Sequence, residues 1–153
     1  MTEIDRRAFL SVTAGAFAAA ATPQDSKPAL VAIPEVSLGQ AGRRVARLGI
    51  GCYPIGNIAQ EEEAVAVLRR AFSEGIRYVD TAPSYNNGVS ERRIGIALKG
   101  FERSEFFIAT KTLERTASGA RKELEASLTR LNVQYIDCLQ VHEVHDDWKQ
   151  LNE

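Results

Sequence analysis

Between Leu48 and His142 short apolar runs alternate with amphipathic stretches of helical period, and linkers of a few residues separate them. This order constrains the fold more than any other feature. A strand followed by a helix and another strand argues a parallel sheet, because parallel neighbours need a long crossover connection. The strands of such a sheet are expected to be buried on both faces.

The individual elements can be placed. "VSLGQAGRRVARLGIG" reads as a hairpin from Val36, turning around Gly39 to Gly42 and leading through Val45 to a first strand near Leu48 to Gly51. Helix one is expected over Glu61 to Glu74, where Val65, Leu68 and Phe72 recur with Ala64 and Ala71 on one face. Glu61, Glu62 and Glu63 suit the positive end of its dipole and receive no catalytic role. Strand two is Arg77 to Asp80, and helix two runs from about Ser90 to Leu98, with Arg92 and Arg93 solvated. "EFFIATK" is strand three, and "SGARKELEASLTRLN" is helix three, with Ala120, Leu124, Leu128 and Leu131 on one stripe. "YIDCLQVH" is strand four.

The chain before Glu35 is read as lying outside this fold. Arg6 and Arg7 precede an Ala-rich apolar stretch that ends in small residues before Pro23, the pattern of a secretory signal over residues 1–21. The arginine pair narrows it to the twin-arginine type, although Asp5 stands where Ser or Thr is usual. The apolar run is too short and Ala-rich for a stable membrane span. Residues 22–34, with Pro23, Pro28 and Pro34, read as a linker, leaving 35–153 as the folded domain. The expected destination is the periplasm or exterior of a bacterium.

Composition excludes several classes. With 44% hydrophobic and 25% charged residues and a formal net charge of -1, the chain suits one soluble core. Basic residues are dispersed among acidic ones, so a nucleic-acid partner is not expected. The two cysteines, Cys52 and Cys138, have no metal-ligand spacing and read as buried thiols, although Cys52 is also placed to face a pocket. His142 and His145 form H-x-x-H with no third ligand nearby, so no metal is expected.

The polar residues recur at one rim. Asp80, Lys111 and His142 end strands two, three and four, and Tyr85 lies in the loop after strand two. In a barrel of parallel strands, that C-terminal rim is where active sites are built. Each residue alone has a structural explanation; their recurrence at the same end of successive strands is what points to chemistry. A phenol is a weak acid at neutral pH, with an ordinary pKa of about 10, but a nearby ammonium favours the phenolate. Lys111 would supply that charge to Tyr85, Asp80 would hold Lys111 in place, and His142 would bond the substrate oxygen or relay its proton. This set fits proton delivery to a carbonyl and contains no electron source, so it requires a hydride donor such as a reduced nicotinamide.

"RLGIGCYPIG", "GIRYVDTAPSYNNGVSERRIGIALKG", "FFIATKT" and "RLNVQYIDCLQVHEV" together resemble the N-terminal half of an aldo-keto reductase, over about residues 36–145. The resemblance implies the N-terminal half of a TIM (β/α)8 barrel: a hairpin and about four βα units. It implies reduction of aldehydes or ketones to alcohols, with NADP(H), or alternatively NAD(H), as cofactor and a small carbonyl or alcohol as substrate. By resemblance Tyr85 is the general acid/base, tuned by Lys111 and Asp80, His142 orients the carbonyl, and Asp80 also lies near the nicotinamide. Ser84 and Asn86-Asn87-Gly88 belong to the substrate-side loop, and Ser90 and Glu91 match the start of helix two. The leader resembles those of bacterial oxidoreductases exported folded by the twin-arginine machinery.

The chain stops at "HDDWKQLNE", shortly after strand four, whereas a complete barrel takes about 250 residues and rarely fewer than about 200. The phosphate-binding loops of such barrels usually follow strands seven and eight, so most cofactor contacts are expected outside this sequence. A half barrel leaves strand edges exposed. The expectation is a truncated gene product, with a barrel-like homodimer as the alternative. A catalytically inactive half barrel, or a module that binds cofactor or a partner without catalysis, is the competing functional class; retention of Tyr and Lys together favours chemistry. A flavodoxin-like open sheet explains neither the hairpin nor the rim residues. Trp148 either lines the substrate pocket or packs a helix start.

Overall fold

A computed structural model describes residues 32–40 and 42–144. The expected signal at 1–21, most of the expected linker at 22–34, His145 and Trp148 lie outside the described residues.

The hairpin forms where its glycines predict it. Strands β1 (Glu35–Ser37) and β2 (Arg44–Ala46) pair antiparallel, with Val36 opposite Val45. Gly39 and Gly42 take positive φ angles of 52° and 67° in the turn, a backbone region open to glycine at little cost. Val45 packs on Phe107 and Ala109, and Arg43 Nη2 donates to Asp137 Oδ1 at 2.9 Å. The hairpin therefore covers the N-terminal end of the main sheet, leaving the opposite rim open.

The main sheet consists of β3 (Gly49–Gly51), β4 (Tyr78–Asp80), β5 (Phe107–Thr112) and β6 (Cys138–Val141), parallel and in chain order. The crossovers carry α2 (Glu61–Ser73), α3 (Val89–Ala97) and α4 (Ala117–Leu131). Helix α2 buries Ala64, Leu68 and Phe72, spaced four apart on one stripe. Phe72 stands edge-on to Phe101 and Phe106, with ring centroids 5.7 and 4.8 Å away. Val79, Ile108, Ile94 and Leu131 complete this core between sheet and helices. Full burial of each such large side chain contributes about 1.5–3 kcal/mol. Helix α3 approaches the end of α4 closely: a Cβ on Gly95 would lie 2.6 Å from the Leu131 carbonyl oxygen.

Four expectations need correction. Burial on both faces holds for β5, buried at five of its six positions, but not for β4, where only Val79 is buried, nor for the edge strands β3 and β6. An edge strand has one bonded neighbour, and Leu139 and Val141 on β6 remain 38% and 40% exposed. On α4 only Leu131 of the predicted stripe is fully buried, while Ala120, Leu124 and Leu128 are half-buried and Ser127 is buried. A short helix α1 (Tyr53–Asn57) follows β3 where a loop was expected, with Pro54 in its first turn. It packs on α3 and covers Arg93, which is 6% exposed and donates to the Ile55 carbonyl. Arg92, one residue earlier on the helix, is exposed and pairs with Glu61.

Candidate active site

Alternation along the strands decides which side chains reach the inner face. Tyr78, Phe107 and Ala109 pack there with Val45, and Val79 and Ile108 face the helices. Asp80 and Lys111 share the parity of Tyr78 and Ala109, which turns both toward the interior at the C-terminal rim. Ladder bonds continue past the strand ends: Cys52 N donates to Asp80 O, Thr81 N to Ala109 O and His142 N to Thr112 O, at 2.8–2.9 Å. The strand tips, and the residues that follow them, are thereby held in register.

All four predicted site residues converge. Lys111 Nζ donates to Asp80 Oδ1 at 2.7 Å and to Thr81 O at 2.8 Å, and lies 4.9 Å from the centre of the Tyr85 ring. The Tyr85 ring meets His142 edge-on, with centroids 5.8 Å apart. The Lys111 side chain is 13% exposed and that of Asp80 33%. Burial works against the ammonium, but hydrogen bonds to Asp80 and Tyr85 and their charges outweigh it and hold Lys111 above its ordinary range.

The loop carrying Tyr85 is firmly built. Tyr85 N donates to Ala82 O at 3.1 Å, and Ser90 N to Tyr85 O at 3.3 Å. Asn86, Asn87 and Gly88 take consecutive positive φ angles of 49°, 52° and 80°. Asparagine and glycine are the residues that accept this region most readily. Asn86 Nδ2 donates to Gly56 O, tying the loop to α1. The hydroxyl of Ser84, next to Tyr85, stands 3.3 Å from His142 Nδ1.

Beneath the loop lies a polar cluster that the sequence did not reveal. Ser90 Oγ donates to Cys52 O at 2.8 Å and bonds Thr81 Oγ1 at 3.0 Å. Glu91, fully buried, accepts from Thr110 Oγ1 and Arg130 Nε, each at 2.6 Å. A buried carboxylate requires such partners. Arg130 also packs under Gly88, where a Cβ would come within 2.5 Å of Arg130 Cδ. Only the placement of Glu91 in the first turn of a helix, beside Ser90, hinted at this role.

Two further residues qualify the sequence reading. Tyr53, 60% exposed on α1, stands edge-on to Tyr85 at 5.3 Å and forms a wall of the site. Cys52 is fully buried in the core, and burial, together with the Asp80 carboxylate and against the pull of Lys111, pushes its thiol up to about 12. It is a packing residue rather than a pocket nucleophile.

An open groove of about 520 Å³ runs along the edge strand β3, from Val36 and Arg47 at the hairpin past Gly49 and Gly51 to Tyr78 and Asp80. A Cβ at Gly51 would meet nothing within 4 Å, so the backbone paired with Asp80 borders open space. The donor set fits a redox cofactor beside it, because an ammonium, a phenol, an imidazole and a carboxylate exchange protons and cannot supply electrons.

The comparisons with known proteins agree with this architecture. The model of the aldo/keto reductase family matches residues 47–152. L-galactose dehydrogenase of Arabidopsis thaliana is 35% identical over 119 residues, covering 71% of this chain and 37% of that protein. A holo aldo-keto reductase from Bacillus halodurans superposes with a TM-score of 0.69 at 30% identity, over 76% of this chain and 42% of the other. One from Klebsiella pneumoniae, in complex with NADPH, does so with a TM-score of 0.62 at 29% identity, over 69% and 38%. The chain thus spans less than half the length of these relatives, and its elements match part of their α/β barrel. On the strength of this match and of the fold, the chain belongs to the aldo/keto reductase family.

Proposed function

We propose that the rim site reduces aldehydes or ketones to alcohols, drawing on NADP(H). The observation that carries this reading is the Lys111 ammonium held between the Asp80 carboxylate and the Tyr85 ring. The reduced nicotinamide supplies the hydride when bound. Tyr85 gives its phenolic proton to the carbonyl oxygen as negative charge develops there. Lys111 stabilises the phenolate left behind and is itself kept charged and in place by Asp80 and Thr81 O. His142 bonds the carbonyl oxygen and turns the carbonyl toward Tyr85. Asp80 borders the groove and would flank the nicotinamide. NADP(H) rather than NAD(H) is favoured because related reductases from Klebsiella pneumoniae are in complex with NADPH and with NADP and acetate.

We further propose export by the twin-arginine pathway, supported by Arg6 and Arg7 ahead of the Ala-rich stretch. Replacing both arginines by lysine should retain the protein in the cytoplasm, as read by cell fractionation. Periplasmic accumulation of that variant would overturn the export reading.

The test of the reductase reading is turnover of NADPH by the purified full chain with a panel of small aldehydes. Turnover should be lost in Tyr85→Phe while cofactor binding, read by nicotinamide fluorescence, persists. Equal turnover in native protein and variant would defeat the assignment of Tyr85.

A further inference from the structure

We propose that Ser84 is a positioning residue for His142, whose hydroxyl donates to Nδ1 and holds the neutral imidazole with its proton on Nε2. The inference rests on the carbonyl-reduction reading above, and concerns how the imidazole meets the substrate oxygen.

The main chain of His142 is pinned from both sides. Its N–H donates to Thr112 O at 2.8 Å, and its carbonyl accepts from Arg115 Nη2 at 2.9 Å. What remains free is the orientation of the ring. Tyr85 meets it edge-on at 5.8 Å, which limits its tilt but does not tell one nitrogen from a ring carbon. Ser84 makes that distinction, because a hydroxyl 3.3 Å from Nδ1 finds a partner only while nitrogen faces it. The opposite side of the ring then carries Nε2.

A neutral imidazole has one N–H and one lone pair, and the bond made by one nitrogen sets the state of the other. The serine hydroxyl can act either way. A carbonyl oxygen can only accept. With the proton on Nδ1, Nε2 would oppose its lone pair to that oxygen. With Ser84 donating, Nε2–H becomes a donor aimed at it. His142 then keeps its proton throughout and orients the carbonyl, and the proton delivered to the alcohol comes from Tyr85. Because Ser84 immediately precedes Tyr85, one loop places the acid and sets the imidazole together.

The chain has two histidines, so His145→Asn in the full chain leaves His142 as the sole imidazole. Long-range 1H–15N correlation spectra of this protein, recorded on the alkaline side of the imidazole titration, report which nitrogen is protonated. The expected spectrum shows a bare Nδ1 and a protonated Nε2. Ser84→Ala should move both nitrogen shifts toward the average of the two tautomers, and Ser84→Thr, which keeps the hydroxyl, should restore them. A native proton on Nδ1, or a Ser84→Ala spectrum identical to the native one, would overturn the proposal. The spectrum needs neither cofactor nor substrate. The expected tautomer in a chain without Tyr85-dependent turnover would uphold the role of Ser84 and sink the reductase reading instead.

Discussion

Lys111 Nζ donates to Asp80 Oδ1 at 2.7 Å from the neighbouring strand, and the same ammonium stands 4.9 Å from the centre of the Tyr85 ring. Two adjacent parallel strands thus deliver an ion pair to the foot of a phenol on a separate loop. Removing the ammonium alone, by Lys111→Met, keeps the unbranched apolar stem of the side chain and deletes the charge. We expect kcat/KM for aldehyde reduction to fall roughly 100-fold, the scale of lost acid–base assistance, while circular dichroism stays native.

Lys111 also bears on alkaline stability. Its pKa is raised in the fold above the ordinary 10.5, so the folded state binds this proton more tightly than the unfolded chain. The stabilisation is full below about 10.5 and is lost as pH rises through the folded value. Urea unfolding at a series of alkaline pH values should show this decline in native protein and a shallower one in Lys111→Met.

Cys52 gives a second alkaline signature. The folded thiol holds its proton up to about 12 against an ordinary 9.0, so its contribution is present below 9.0 and declines as pH rises toward 12. At mildly alkaline pH a thiol reagent should label the half-buried Cys138 first. Cys52 should react only after denaturant is added; equal labelling rates for both thiols would contradict its burial.

Arg130 and Glu91 anchor the loop from behind. Arg130→Met leaves the fully buried Glu91 carboxylate without its cationic partner. The expected loss is about 3 kcal/mol, the lower end for breaking a buried pair, read as a lower urea midpoint. Replacing both residues, Glu91→Gln with Arg130→Met, should cost less than Arg130→Met alone, because no uncompensated charge remains.

The outer core should respond through packing. Phe72→Ala removes a ring enclosed by Phe101 and Phe106 and should cost about 3–5 kcal/mol in urea unfolding. Val67, on the same helix but 48% exposed, should tolerate Val67→Ala within about 0.5 kcal/mol.

Much of this molecule is written in local patterns. The hairpin glycines, the four-residue spacing of Ala64, Leu68 and Phe72, and the polar residues ending Tyr78–Asp80 and Phe107–Thr112 each concern neighbours within a turn or a strand. Such neighbours are set by period alone, so the order of elements and the placing of Asp80, Lys111 and His142 at one rim were legible. The amphipathic pattern of α4 misled at Ala120, Leu124 and Leu128, because half-burial depends on what packs beside a helix.

The sequence by itself therefore determined the strand–helix order and which ionisable residues share the C-terminal rim. Only the tertiary structure decided that Glu91 is buried against Arg130, 39 positions later, that Arg93 is covered by α1, and that Ser84 reaches His142, 58 positions away. Residues so far apart in the chain meet only when sheet and helices pack. Their side chains are then paired because water no longer solvates them, a condition that no local period records.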